Sequence, residues 1–508
     1  MNLLSSTSVF SFYTLISRVL GYLRDILIAV FLGASFLADV FFVAFRIPNT
    51  FRRLFAEGTF NAAFIPSYTA ERAKSKLEGK KFADEVLNLL ILILLAIVFI
   101  VEIFTPFLVY LLAPGFHNDA EKFNLAVELT RITFPFLFFV SLSSFFSGIL
   151  NSNNRFAAAA AAPIILNIIL IISLFISYLL KQDFVKNLSY GVTFAGIIQL
   201  FFLFVFTKKY YKPSLFLKTK INSKVKFFLK KLLPSIFSSG VTQINILVGT
   251  IIASFEAGAV SYLYYADRIY QINLAIAGIA VGTVSLPVLS KSLKLKRFDD
   301  VKDVQNKSIE LSLLLSVPAS LGLILASEEI INALFGYGSF TNSDVIMTAK
   351  ALKYFGYGIP AFALIKVLSN FYFARDNTKT PFYLSLFSVI LNVAISLLFF
   401  KKIGFIIIPL ATSISTWLAV ILYLFLLGKS KFLFFENLPI NNLLKIIFST
   451  FIMSFVLYYG LSFFEDKLAY DNIYKSIYLV FMISLVATIY LITCYLFGLL
   501  KFKNYRMF

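Results

Sequence analysis

Cysteine and histidine are almost absent: the 508 residues hold one of each, Cys494 and His117. A lone cysteine excludes an internal disulfide and a cysteine-based metal site. A lone histidine, read in a short loop, excludes a multi-histidine metal site and leaves little room for imidazole catalysis. Charge is scarce, at 14% of residues, and acid is scarcer, with 26 Asp and Glu against 46 Lys and Arg. No polar stretch is long enough for a soluble domain. What is present is a chain that is 59% hydrophobic, with a mean hydropathy of +0.86. That is the composition of a polytopic membrane protein. A net charge of +20 would point to nucleic acid in a soluble chain. Here the excess lies in loops beside apolar runs, where the positive-inside rule accounts for it, so no nucleic-acid partner is expected. The first ten residues carry no basic stretch and no small-residue cleavage signature, so the first span is expected to be retained.

Apolar runs and their punctuation predict an all-α fold of about fourteen transmembrane helices. They lie near 8–32, 36–66, 85–113, 123–150, 156–180, 187–207, 226–256, 259–290, 303–326, 343–373, 380–400, 403–428, 441–464 and 474–500. Loop charge tests the count. Alternate loops hold Arg72, Lys74, Lys76, Lys80 and Lys81, then Arg155, then nine lysines from Lys208 to Lys231 and six basic residues from Lys291 to Lys307. Arg375, Lys379, Lys429, Lys431, Lys445, Lys501, Lys503 and Arg506 continue the series. The opposite loops hold only Lys122, Lys181, Lys186, Lys401, Lys402, Lys467 and Lys475. The alternation places both termini in the cytoplasm.

Charge also sits where a bilayer disfavours it. Residues 8–66 read as two apolar helices, yet contain Arg18, Arg24, Asp25, Asp39, Arg46, Arg52, Arg53 and Glu57. Each costs roughly 2.5–3.5 kcal/mol near a membrane centre on insertion scales. Seven of twelve arginines lie inside apolar segments, Arg131 and Arg268 among them, whereas most lysines lie in loops. A planar fork that stays protonated suits phosphate recognition, and lysine substitutes for it poorly. Helical spacing puts Arg18 and Asp25 on one face. It puts Asp39, Arg46, Arg53 and Glu57 on one stripe, with Asn49 and Arg52 on a neighbouring one. The stripe mixes signs, so it is expected to pair internally and leave Arg24 and Arg52 free for a charged cargo. Asp25, Asp39, Glu57 and Asp267 are expected to orient arginines or form gates. Glu128 and Arg131 are expected to pair, and Lys350, Lys353 and Lys366 to add positive potential or snorkel. Pro48 is expected to kink the second helix.

The chain is internally repetitive. Pro135 and Pro360 are 225 residues apart, as are Asn167 and Asn392. Val43 to Ile47 is echoed by Tyr265 to Ile269, and Gly58-Thr59 by Gly282-Thr283. Two six-helix lobes in the same orientation follow, plus two further C-terminal helices, a transporter architecture. The expected organisation is an N-terminal lobe over 1–207, a basic cytoplasmic linker over 208–225, a second lobe over 226–428 and the additional pair over 429–508. Asn167, Gln243, Asn245, Asn273 and Asn392 read as interhelical hydrogen bonds.

Ser17-Arg18-Val19-Leu20-Gly21 to Arg24-Asp25 closely resembles the amino terminus of the MurJ (MviN) family of lipid II flippases. So do Phe45-Arg46-Ile47-Pro48-Asn49, Arg52 to Gly58 and Ala63 to Pro66. Ala113 to Phe116, Tyr264 to Ile269, Leu286-Pro287 and Phe335 to Phe340 extend the likeness. The family lies within the MOP exporter superfamily. The resemblance implies flipping of lipid II, an undecaprenyl-pyrophosphate-linked disaccharide pentapeptide. The cargo would pass from the cytoplasmic to the periplasmic leaflet of the bacterial inner membrane by alternating access. It also implies that Arg24, Arg52 and Arg268 line a central cavity and hold the diphosphate, that Arg18 is a further sensitive arginine, and that the last two helices guide the lipid tail. A sodium site as in some members is doubtful, since the seventh helix offers only Glu256. No cofactor, no metal, no enzymatic activity and a monomer are expected. The alternatives are a flippase for another polyprenyl-pyrophosphate-linked oligosaccharide or a multidrug exporter of the same superfamily. A drug exporter would favour intramembrane carboxylates over arginines.

Overall fold

The computed structural model describes residues 3–54, 60–214, 223–433 and 438–500. Among the described residues there is no strand. Within the described residues, each of the fourteen predicted segments is occupied by one or more helices. Among the described residues, ten stretches are long and apolar enough to cross a membrane, and four of them, Ala120–Ser152, Ala259–Lys294, Asn342–Phe373 and Lys379–Lys429, hold more than one helix. The chain forms two compact units, Met1–Val260 and Ser261–Phe508.

The first unit contains α1 (Leu3–Leu32), α2 (Phe36–Leu54), α3 (Phe60–Lys74), α4 (Lys76–Ile103), α5 (Thr105–Leu112), α6 (Ala120–Thr133), α7 (Phe136–Ser152), α8 (Phe156–Leu180), α9 (Phe184–Thr207) and α10 (Ser223–Ala253). Their starts are chemically marked. Ser75 accepts the Glu78 N–H at 3.1 Å ahead of α4, and Asp119 accepts the Lys122 N–H at 3.1 Å ahead of α6. Each cap satisfies an amide that has no partner within its helix. Pro48 lies inside α2, which runs on without a break. Pro135 does break its rod, between α6 and α7. α8 packs between α1 and α9, α2 packs on α6, and α10 packs on α2, α3, α4 and α5. Phe64 sits at the centre of an aromatic core, 5.0 Å from Phe145, 5.3 Å from Phe60 and 6.2 Å from Phe228, ring centre to ring centre. Where lipid replaces water, such close packing rather than hydrophobic burial holds helices together. Gly115 shows how tight it becomes. Its N–H donates to Ser254 Oγ at 3.0 Å, and any Cβ there would strike the Ser254 carbonyl.

The second unit contains most of α11 (Ala259–Leu274), then α12 (Val281–Lys294), α13 (Phe298–Leu325), α14 (Ser327–Phe335), α15 (Asn342–Gly356), α16 (Ile359–Phe373), α17 (Lys379–Ile403), α18 (Ile407–Lys429), α19 (Ile440–Phe463), α20 (Glu465–Leu468) and α21 (Lys475–Leu496). A π-helical turn, Ala275–Ala280, joins α11 to α12. Pro360 opens α16 just after the α15 break, as its repeat mate Pro135 does before α7. α13 is central, in contact with α12, α15, α16 and α19. The last pair is pinned to it. Tyr490 donates to the Leu314 carbonyl at 2.7 Å, and Asn442 donates to Glu310 at 3.0 Å. Lys475, 1% exposed, donates to the carbonyls of Gly336 and Tyr470, both at 2.6 Å.

Candidate functional site

The arginines are built into the structure one helix at a time. Arg18 stands exposed on α1. The second half is covered by α8, and there Arg24 is 6% and Asp25 2% exposed. Arg24 gives Nε–H and Nη2–H to Asp25 Oδ1, at 3.0 and 2.6 Å, and Nη1–H to Asn167 Oδ1 at 3.0 Å. The expectation that Arg24 is left free for cargo is thereby corrected. Its carboxylate neighbour is one residue away, a pairing that helical face counting does not reveal because adjacent residues point apart. Asp25 accepts both of these bonds from its neighbour.

On α2, Arg52 is half-buried and donates Nε–H to Asn49 Oδ1 at 3.0 Å. Arg52 is therefore not free either, and its partner Asn49 lies three residues earlier on the same helix. Asp39 is fully buried and accepts the Lys122 ammonium of α6 at 2.9 Å and the Gly258 N–H at 2.9 Å. That ammonium also lies 4.3 Å from the Phe116 ring centre. Lys122 was read as an ordinary loop lysine, and its partner is 83 residues distant, beyond the reach of helical spacing. Arg46 is half-buried on the same helix. Glu57 and Gly58-Thr59 lie outside the described residues, as does the Arg53 side chain.

Arg268 belongs to the second unit. It is half-buried on α11, donates Nη2–H to Tyr264 Oη at 2.7 Å and lies with its Cζ 4.6 Å from that ring centre. An aromatic one turn back thus fixes the plane of the guanidinium. The spacing was legible, but Tyr264 was not singled out. Asp267 accepts a hydrogen bond from Gln271 on the same helix. Lys366 of α16 is exposed, with its ammonium 5.3 Å from the Phe362 ring centre, and Lys350 and Lys353 are exposed on α15.

The expected Glu128–Arg131 pair is corrected as well. Glu128 binds Lys186 of α9 at 2.7 Å, while Arg131 acts electrostatically on Glu102 of α4. Three positions a turn apart can pair, but a lysine arriving from a neighbouring helix competes.

The arrangement offers oriented guanidinium forks in otherwise apolar helices. Such forks recognise a polyanion by short charge-assisted hydrogen bonds. Comparison with known proteins points the same way. A family model described as lipid II flippase MurJ matches residues 28–479. A "Probable lipid II flippase MurJ" of Rhizobium tropici is 39% identical over 452 residues, covering 88% of this chain and 85% of the relative. One of Rickettsia prowazekii (strain Madrid E) is 40% identical over 421 residues, covering 82% of each. A solved structure of lipid II flippase MurJ in an inward closed conformation superposes with a TM-score of 0.83 at 31% identity, covering 96% of this chain and 98% of that one. An inward-facing multidrug resistance MATE family transporter of the MOP superfamily superposes with a TM-score of 0.67 at 16% identity, covering 82% of this chain and 94% of that one, a likeness of fold alone.

Proposed function

This chain belongs to the lipid II flippase MurJ family, and on that premise we propose how it handles its cargo. It is a multi-pass membrane protein. The proposal is that it moves lipid II from the cytoplasmic to the periplasmic leaflet of the bacterial inner membrane by alternating access, opening to one side at a time. The diphosphate is held by Arg24, Arg52 and Arg268, with Arg18 assisting. The chain works as a monomer, without catalysis or cofactor, and both termini are cytoplasmic. The alternation of basic and lysine-poor loops supports that orientation.

The observation that carries the reading is the state of the arginines. Arg52 and Arg268 each hold a half-buried guanidinium oriented by a side chain of their own helix, Asn49 in one case and Tyr264 in the other. An oriented fork loses little freedom when it binds, so more of each hydrogen bond appears as affinity. Arginine remains charged in an apolar setting, where a lysine could shed its proton. The cargo is amphiphilic, with a charged diphosphate beside a long apolar tail. Charged forks inside apolar helices suit that combination.

The test is complementation. A bacterium depleted of its own lipid II flippase should grow when this chain is expressed and should accumulate no lipid II on the cytoplasmic side. Failure of growth with properly inserted protein would overturn the reading.

A further inference from the structure

Three side chains from two helices close into one cluster in the first unit. Arg24 donates to Asp25 Oδ1 with both Nε and Nη2. Its Nη1 donates to Asn167 Oδ1 at 3.0 Å, and Asn167 Nδ2 donates to the Ser17 carbonyl of α1 at 2.9 Å. Asn167 is 6% exposed, the same as Arg24. Gly21 has no side chain on the facing turn of α1. A Cβ built there would lie 3.5 Å from Asn167 Nδ2, in ordinary van der Waals contact, so the amide faces this turn of α1.

This geometry uses both halves of an amide. The oxygen can only accept and the nitrogen can only donate, so the Asn167 orientation is settled by its two partners. A carboxylate at 167 would keep the acceptor and lose the donor. A leucine would lose both. Asp25 holds the Nε and Nη2 edge of the guanidinium, and Asn167 holds the far nitrogen, Nη1. Asn167 does so without adding charge, whereas a carboxylate at 167 would place a further negative charge beside Arg24 and repel a phosphate.

The internal repeat supplies a contrast. Asn392, the mate of Asn167, is 5% exposed, donates to Thr412 Oγ1 at 2.8 Å and accepts from Ser396 Oγ at 3.2 Å. Those partners are neutral hydroxyls. The arginine contact is particular to Asn167.

We infer that Asn167 of α8 is a positioning residue for Arg24: it holds the guanidinium in place without adding a charge that would repel an anionic lipid diphosphate. The inference rests on the reading that Arg24 holds that diphosphate. Lipid II binding by the purified full-length protein in detergent tests it. Asn167→Leu should raise the lipid II Kd about tenfold, the loss expected for a hydrogen bond to a charged group. Asn167→Asp should raise it further, although it retains an acceptor for Arg24. Asn392→Leu should stay within about twofold of wild type, while disturbing a comparable interhelical contact. Arg24→Ala with Asn167→Leu should bind like Arg24→Ala alone, because Asn167 acts only through Arg24. Asn167→Ser, too short to reach Arg24, takes the place of leucine if the leucine variant is lost from the membrane. Asn167→Asp binding as well as wild type, or additive losses in the double variant, would show a merely structural asparagine. Wild-type binding by Asn167→Leu beside lost binding by Arg24→Ala would sink this inference alone. Wild-type binding by Arg24→Ala would sink both it and the diphosphate reading.

Discussion

Breaking the Asp39–Lys122 pair should destabilise the first unit more than removing the pair altogether. The two side chains are 0% and 9% exposed and 2.9 Å apart. At that distance an effective dielectric near 20 gives a gross attraction of about 6 kcal/mol. Desolvation of two ions costs several kcal/mol each, so the intact pair contributes little net. Removing one partner strands the other. Asp39→Leu leaves the buried Lys122 side chain with its ammonium facing the Phe116 and Phe36 rings at 4.3 and 5.6 Å. Lys122→Met leaves the Asp39 carboxylate with the Gly258 N–H at 2.9 Å. Each single change should cost about 3–5 kcal/mol, a fall of roughly 6–20 °C in melting temperature for a unit of this size. The double variant strands neither charge; losing the acceptor for the Gly258 N–H costs about 1–2 kcal/mol. Thermal unfolding in detergent, followed by the fraction that stays monodisperse, gives the four corners of the cycle. Single variants within 2 °C of wild type, or a double variant as unstable as the sum of the singles, would refute the assignment.

Other outcomes follow from local geometry. Gly115→Ala should cost about 1–3 kcal/mol, since its Cβ meets the Ser254 backbone rather than a movable side chain; an unchanged melting temperature would contradict this. Lys475→Met should cost about 1–3 kcal/mol by stripping a donor from the Gly336 and Tyr470 carbonyls, and should loosen α21 in hydrogen exchange. Acid should act through Glu71, whose carboxyl is held below its usual range by hydrogen bonds from Lys74 and then Lys224. A lowered folded pKa means the contribution is complete above the ordinary value of about 4.3 and fades as pH falls through the folded value. Glu71→Gln should therefore lower the melting temperature at neutral pH, converge with wild type in acid and so flatten the acid limb of the melting curve.

Much of the fold was legible because each span announces itself by a run of apolar residues and stops at Pro, Gly or a basic loop. The repeat also translated into structure at Pro135 and Pro360, which both mark broken rods. The site was legible in residue type and less so in contacts. Face counting cannot see that Arg24 curls onto its own neighbour, nor that Lys122 crosses from another helix to Asp39. It could not show that Glu128 prefers Lys186 to Arg131. Those outcomes depend on which helix packs beside which. The best missed signal was Asn167, a buried amide in an apolar helix with a repeat mate, read only as an interhelical hydrogen bond.

The most direct test of the arginine-held diphosphate is lipid II binding and flipping by Arg52→Ala and Arg268→Ala, each beside its lysine variant, in reconstituted vesicles. Both alanine variants should insert normally, bind lipid II at least tenfold more weakly and fail to flip it, because each loses charge-assisted hydrogen bonds in a partly dry site. The lysine variants should recover only part of the binding, since the ammonium keeps the charge and loses the two-pronged fork. Wild-type binding and flipping by both alanine variants would show that these arginines serve only their neighbours, Asn49 and Tyr264, and would contradict the account.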